Sequence, residues 1–126
     1  NAGYPGKKYH LLSLLDSARM QKDMDSAREK GAEIVLVNIH WGGEYQREPS
    51  DYQRKYAQFA ASIGADAVIG HHPHVIQPAE MLAGKKDSVF TAYSLGNFYS
   101  NQRWRYSDSG LIASLFYEKN LTALGG

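Results

Sequence analysis

The sequence predicts an α/β fold, in which parallel βαβ units are followed by antiparallel strands. Three observations carry this. Residues 9–70 alternate apolar runs with capped helical stretches, the pattern of parallel βαβ units. Two of those stretches carry clear start and stop signals. After residue 75 the pattern changes to extended segments joined by a polar turn.

The elements follow in order. Tyr9 to Leu15 is apolar-rich and reads as a strand. Asp16 or Ser17 then caps a helix to about Lys30, with Met20, Met24 and Ala27 as its apolar stripe and Gly31 as its stop. Glu33 to His40 is a β-branched run of the kind found in central strands buried on both faces. Ser50 and Gln53 form a capping box for a second helix, whose expected face is Tyr52, Tyr56, Phe59, Ala60 and Ile63, ending at Gly64. Ala67-Val68-Ile69 is a short buried strand, from which Gly70 is expected to let the backbone turn away. Ile76–Leu82 and Ser88–Leu95 read as a hairpin around Gly84-Lys85-Lys86-Asp87, and Leu111–Tyr117 as a last strand. Between them lies a polar and aromatic loop from Gly96 to Tyr106.

The chain has 126 residues, and 43% of them are apolar. That suits one domain or part of one, able to bury roughly two-thirds of its unfolded surface. Fourteen basic side chains stand against thirteen acidic ones. This balance offers no electrostatic footprint for nucleic acid or for an anionic membrane. No window is long and apolar enough to span a bilayer. The absence of cysteine excludes disulfides and thiolate metal sites. Asn1-Ala2 reads as the remnant of a cleaved tag, so a membrane contact is expected only through segments outside these residues.

The chemistry concentrates at strand ends. Three of the five histidines fall in Gly70-His71-His72-Pro73-His74, a loop stiffened by proline at the carboxyl end of a strand, where open α/β sheets bind ligands. His40 ends the preceding strand. If the two strands are neighbours, roughly 5 Å apart, His40, His72 and His74 share one rim and can share a divalent metal, with His71 as the first substitute. His10 has no such context and is expected to be structural or exposed. Glu44, close to His40, reads as a ligand, a general acid or a solvated loop charge. Arg103 and Arg105, with Asn97, are candidates to hold an anionic substrate by forked hydrogen bonds; a solvated loop is the alternative for the arginines. No P-loop, nucleophile elbow or dinucleotide fingerprint occurs.

His40-Trp41-Gly42-Gly43-Glu44-Tyr45, residues 64–78 around the histidine loop, and Tyr93-Ser94-Leu95-Gly96-Asn97-Phe98 resemble the motifs of the CapA/PgsA family of bacterial capsule-synthesis proteins, in order and at suitable spacing. That resemblance implies poly-γ-glutamate production, a bacterial cell-surface or envelope location, and kinship with calcineurin-like metallophosphoesterases. It implies an αββα sandwich, of which residues 1–126 match the carboxyl-terminal portion. His40 then matches the family's lone metal-binding histidine, and His72 and His74 the final pair; His71 and His74 are the other register. The earlier acidic motifs of that superfamily are absent here. The implied cofactors are divalent ions (Mn, Zn, Fe or Mg), bound weakly by these residues alone, and the implied activity belongs to the intact protein. The implied partners are an anionic polymer or a phosphoester, and either the missing half or a second copy of the chain. The competing reading is a silent domain that binds or assembles capsule polymer. A third, an amidohydrolase, fits less well because His40 precedes the H-x-H pair.

Overall fold

The computed structural model describes residues 15–103 and 105–119. The elements are α1 (Ser17–Glu29), β1 (Leu36–His40), α2 (Asp51–Ser62), β2 (Ala67–His71), β3 (Ala79–Ala83) and β4 (Ser88–Ala92). The strands form one mixed sheet in the order β1-β2-β4-β3. β1 and β4 flank β2 in parallel, and β3 closes the sheet antiparallel to β4. The α/β class and the adjacent parallel pair are as the sequence predicts. The expected strand over residues 9–15, and His10 with it, lies outside the described residues except for Leu15.

Both helices start where their side chains can take up free backbone N–H groups. Asp16 accepts from the amides of Ala18 and Arg19. Ser50 and Gln53 complete the capping box in both directions. Both helices lie against the same core, with Met24 from α1, Ala57, Ala60 and Ala61 from α2, and Ile39, Val68, Val89 and Tyr93 from the sheet region. The fully buried residues of α2 are Gln53, Ala57, Ala60 and Ala61, with Tyr56 and Ile63 packed against the core at its margin. Of the face expected from spacing, Ala60, Tyr56 and Ile63 thus hold, while Tyr52 is corrected to the exposed side. Three alanines let the helix approach the sheet closely. Tyr52 is half exposed, and its ring packs on Tyr56.

Two further expectations are corrected. β1 lies at the edge of the sheet among the described residues, with Leu36 and Ile34 half exposed, so it is not buried on both faces. Its β-branched run reflects packing of Val35, Val37 and Ile39 on the helical side alone. Residues 111–117 are extended but join no strand. The Leu111 amide donates to the Leu95 carbonyl beyond the end of β4, and the Tyr117 hydroxyl donates to the Asp66 carbonyl before the start of β2. The segment therefore runs from one end of the sheet to the other, tied at its ends instead of laddered. The hairpin is as expected, though shorter, and an isolated bridge between Ile76 and Leu95 extends its line.

One tie spans three strand ends. The Trp41 indole N–H, just past β1, donates to the Tyr93 carbonyl, just past β4, at 2.8 Å. The indole crosses directly over Gly70 in β2: a Cβ there would lie 2.1 Å from the Tyr93 carbonyl oxygen and 2.3 Å from the indole nitrogen. Gly70 is thus a glycine for lack of room, and the strand continues through it to His71. This corrects the expectation that it frees the backbone to turn. Gly70→Ala is expected to destabilise the fold by about 3 kcal/mol or more, because the obstacle is a backbone oxygen that cannot move aside alone. Chemical denaturation of the variant measures this; a cost near that of an exposed alanine substitution would show the crossing to be absent in solution.

Tyr93 itself is buried, with its hydroxyl donating to the Glu80 carboxylate at 2.7 Å and Arg54 lying 5.6 Å over its ring. Burial, reinforced by that carboxylate, pushes the phenol up from 10.0 to about 12. The folded state thus favours the neutral phenol more than the unfolded chain does. The resulting stabilisation is intact below pH 10 and drains away as the pH rises toward about 12. Tyr93→Phe is expected to cost roughly 1 kcal/mol at neutral pH and to flatten this alkaline loss. Denaturation midpoints of both proteins across that range provide the check.

Candidate metal centre

The carboxyl ends of β1 and β2 carry the histidines, and the loops beyond them run side by side. The Trp41 amide donates to the His71 carbonyl at 3.1 Å, and the Tyr45 amide to the Pro73 carbonyl at 2.8 Å. These bonds continue the pairing of the parallel strands past their ends. They bring the loop of Glu44 against the loop of His72 and His74. One ligand atom from each of Glu44, His72 and His74 lies within 4.8 Å of the other two. Glu44 is exposed, and both histidines are half buried. Two imidazoles and a carboxylate form a donor set suited to Zn, Mn or Fe.

The other expected residues divide. The His40 ring packs on His72, with centroids 4.3 Å apart, and so borders the three donors without being one of them. Partial desolvation, then the charges of His72, His74 and His71, hold the His40 imidazole below its usual value. His71 remains in β2, opposite His40 in register, and its ring faces Asn38 at 3.5 Å, the outer limit of a hydrogen bond. The substitute register, with His71 in place of His72, is therefore not the one brought to the cluster. Asn97 lies against the cluster, with its Oδ1 3.0 Å from His74 Nδ1. Arg103 and Arg105 are exposed on the loop beyond it, and Arg105 lies 4.8 Å over the Tyr106 ring, which Arg47 also covers at 4.0 Å. Trp104, between them, is outside the described residues.

The backbone at the cluster is unusual. His72 and His74 both adopt positive φ, 99° and 62°, as does Tyr45 at 62°. Such conformations cost about 1–3 kcal/mol in non-glycine residues and persist only where the surroundings enforce them. Here the enforcement comes from buried Pro73 between the two histidines and from its carbonyl bond to Tyr45.

Sequence reasoning missed the support beneath the Glu44 loop. Gln77 is buried, and its Nε2 donates to the carbonyls of Gln46 and Glu48 at 2.8 and 3.2 Å. Its Oε1 accepts from Gln53 Nε2 at 2.7 Å, while Gln53 Oε1 accepts from the Ser50 amide. Gln53, fully buried, also sits where a Cβ on Gly42 would fall, 2.6 Å from its Oε1. The capping box was a readable signal for Gln53; no local pattern marks Gln77.

A cleft of about 830 Å³ opens at the opposite end of the sheet, lined by Arg28, Asp66, Lys85, Lys86, Tyr117 and Lys119 among others. Its centre is structural. Arg28 donates to the carbonyls of Ala32, Glu33 and Gly64 and pairs with Asp66, which also accepts from the Val35 amide. Asp66 is thereby committed far from the histidines, as its place before β2 requires.

Comparison with known proteins bears on this arrangement. The family model of the bacterial capsule synthesis protein PGA_cap matches residues 2–102. The chain is 46% identical over 90 residues to the PGA biosynthesis protein CapA of Bacillus subtilis (strain 168), covering 71% of this chain and 23% of that protein. It is 43% identical over 86 residues to the capsule biosynthesis protein CapA of Bacillus anthracis, covering 68% of this chain and 20% of that protein. An uncharacterized Sinorhizobium fredii protein, y4sH, is 38% identical over 66 residues, covering 52% of this chain and 13% of that protein. The chain thus spans less than a quarter of the length of the CapA proteins it matches. The matched residues take in both site loops and Asn97, and the chain belongs to the PGA_cap family of bacterial capsule synthesis proteins.

Proposed function

We propose that this chain contributes the histidine-rich part of a divalent-metal centre in a phosphoesterase-like protein of poly-γ-glutamate capsule synthesis, acting at the bacterial cell envelope. The observation that carries the reading is the convergence of Glu44, His72 and His74 within 4.8 Å at the carboxyl ends of parallel strands. A bound Mn, Zn, Fe or Mg ion would supply an activated water and polarise a phosphoryl oxygen. The chain's own residues supply the rest. His72 and His74 offer nitrogen lone pairs, the Glu44 carboxylate offsets part of the metal charge, and the His40 ring packs against His72. Arg103 and Arg105 provide positive charge toward an anionic polymer or phosphoester.

One carboxylate does not balance two divalent ions, so these residues alone should bind metal weakly and turn over substrate negligibly. Titration calorimetry with manganese and with zinc, beside a model phosphodiester assay, tests this. Weak binding is expected, reduced at least tenfold in His72→Ala and in His74→Ala, with Glu44→Gln intermediate. Binding indifferent to all three substitutions would sink the reading, and robust metal-dependent turnover would show that the site is more complete than proposed.

The exposed tip of the 96–110 loop favours a second reading, a non-catalytic polymer-binding domain. Phe98 and Tyr99 are 81% and 98% exposed on the same loop as the exposed Arg103 and Arg105. Binding of poly-γ-glutamate that persists in chelator and is lost in Arg103→Ala and Arg105→Ala would select it. Association with a second copy of the chain, across the half-exposed β1 edge, is separated from both readings by sedimentation velocity.

A further inference from the structure

We infer that Asn97 is a positioning residue, which fixes the His74 imidazole in the tautomer whose free lone pair lies on Nε2. The metal-binding consequence rests on the reading above, whereas the tautomer follows from the hydrogen bonds alone.

The Ser107 backbone carbonyl sets the orientation of Asn97, because such an oxygen can only accept. The 96–110 loop is pinched at its neck by a bridge between Gly96 and Gly110, and the Asn97 amide donates to the Ser109 carbonyl there. This closure brings the Ser107 carbonyl to 2.8 Å from the Asn97 side-chain nitrogen. A carbonyl oxygen only accepts, so the carboxamide of Asn97 must turn its NH2 toward Ser107. The second hydrogen of that NH2 goes to Gln102 Oε1 at 3.1 Å. The carboxamide oxygen therefore faces the other way, toward His74 Nδ1 at 3.0 Å. That oxygen also only accepts, so Nδ1 must carry the proton. A neutral imidazole protonated at Nδ1 has its free lone pair on Nε2.

A backbone carbonyl two residues before the Ser109 contact thus dictates, through one side chain, which nitrogen of His74 can ligate. Histidine ligands commonly need such a partner, because it removes the competing tautomer and holds the ring plane. Both hydrogens and the oxygen of the Asn97 carboxamide are occupied in doing so. This gives Asn97 a role in orienting His74 beside the substrate contact that its sequence position suggested. Its neighbours on the loop tip, Phe98 and Tyr99, remain directed to solvent.

The test uses protein labelled with 15N-histidine, stripped of metal by a chelator and held above about pH 8, where ordinary imidazoles are neutral. Long-range proton–nitrogen correlation spectra distinguish a pyrrole-like from a pyridine-like ring nitrogen. His74 is expected to show pyrrole-like Nδ1 and pyridine-like Nε2. Asn97→Leu, close in volume and unable to accept, should shift His74 toward the Nε2–H form that free imidazole side chains prefer. It should also weaken manganese and zinc binding by about 10–100-fold. An Nε2–H His74 in the unsubstituted protein overturns the inference without recourse to any variant. So does an unchanged tautomer in a folded Asn97→Leu protein. If that variant does not fold, the spectrum of the unsubstituted protein decides alone. Should His74 show the expected tautomer while neither metal binds, the metal-centre reading fails and the assignment of Asn97 stands.

Discussion

The hydrogen bond from the Trp41 indole to the Tyr93 carbonyl is the constraint on which the site end of the molecule depends. It joins the chain just past β1 to the chain just past β4, and the strand between them yields by having no side chain at Gly70. Each of the three strands leads from this point into one component of the cluster. β1 leads to Glu44, β2 to His72 and His74, and β4 to Asn97. Without the crossing, the loops after β1 and β2 would still be tied to each other by the Trp41–His71 and Tyr45–Pro73 backbone bonds, but the indole's tie to the end of β4 would be lost. With it, all three leave a common fixed point.

A second, polar layer lies next to that point. Buried amides are costly unless fully satisfied, and Gln53 and Gln77 satisfy one another while reaching backbone on both sides. The pair ties the start of α2 to the loop that carries Glu44. The residue that caps the helix therefore also sets the floor of that loop. Such shared use explains why a glutamine, and not an apolar residue, occupies the buried face of α2.

How much of this was legible in the sequence follows from the range of each interaction. Helix starts are local, so Asp16, Ser50 and Gln53 identify them directly. The βαβ alternation gives the neighbouring parallel strands, and hence a shared rim for the histidines. Burial on α2 was read only in part. Ala60, Tyr56 and Ile63 lie on the core side as spacing suggests, but Ala57 and Ala61 take the centre and Tyr52 is left outside because the sheet lies close above the alanines, which the helix alone cannot reveal. The last strand was misread because extended residues need a free edge to pair with, and residues 111–117 find only ties at their two ends. Gly70 was recognised as special for the wrong reason, since a missing Cβ serves equally for a turn and for a close crossing. Gln77 lies within the stretch 64–78 that carries the family resemblance, but nothing local marked its supporting role, because its partners lie 24 to 31 positions away along the chain. At the site, the histidines and Glu44 were visible as residue types, while the exclusion of His71 depended on β2 continuing through Gly70 to His71, two residues past the expected strand.

The positive φ values at His72 and His74 set two demands against each other. Glycine would relax each position, and the relief, about 1–3 kcal/mol, exceeds the roughly 0.5–1 kcal/mol that glycine adds in unfolded-chain entropy. Imidazole at these places is thus the less stable choice for the isolated fold. Ligation and foldedness pull apart in this turn, so relaxed selection on the histidines would let glycine drift in with a gain in melting temperature. A screen for thermostability alone, applied to this chain, would tend to erase its metal-binding candidates first.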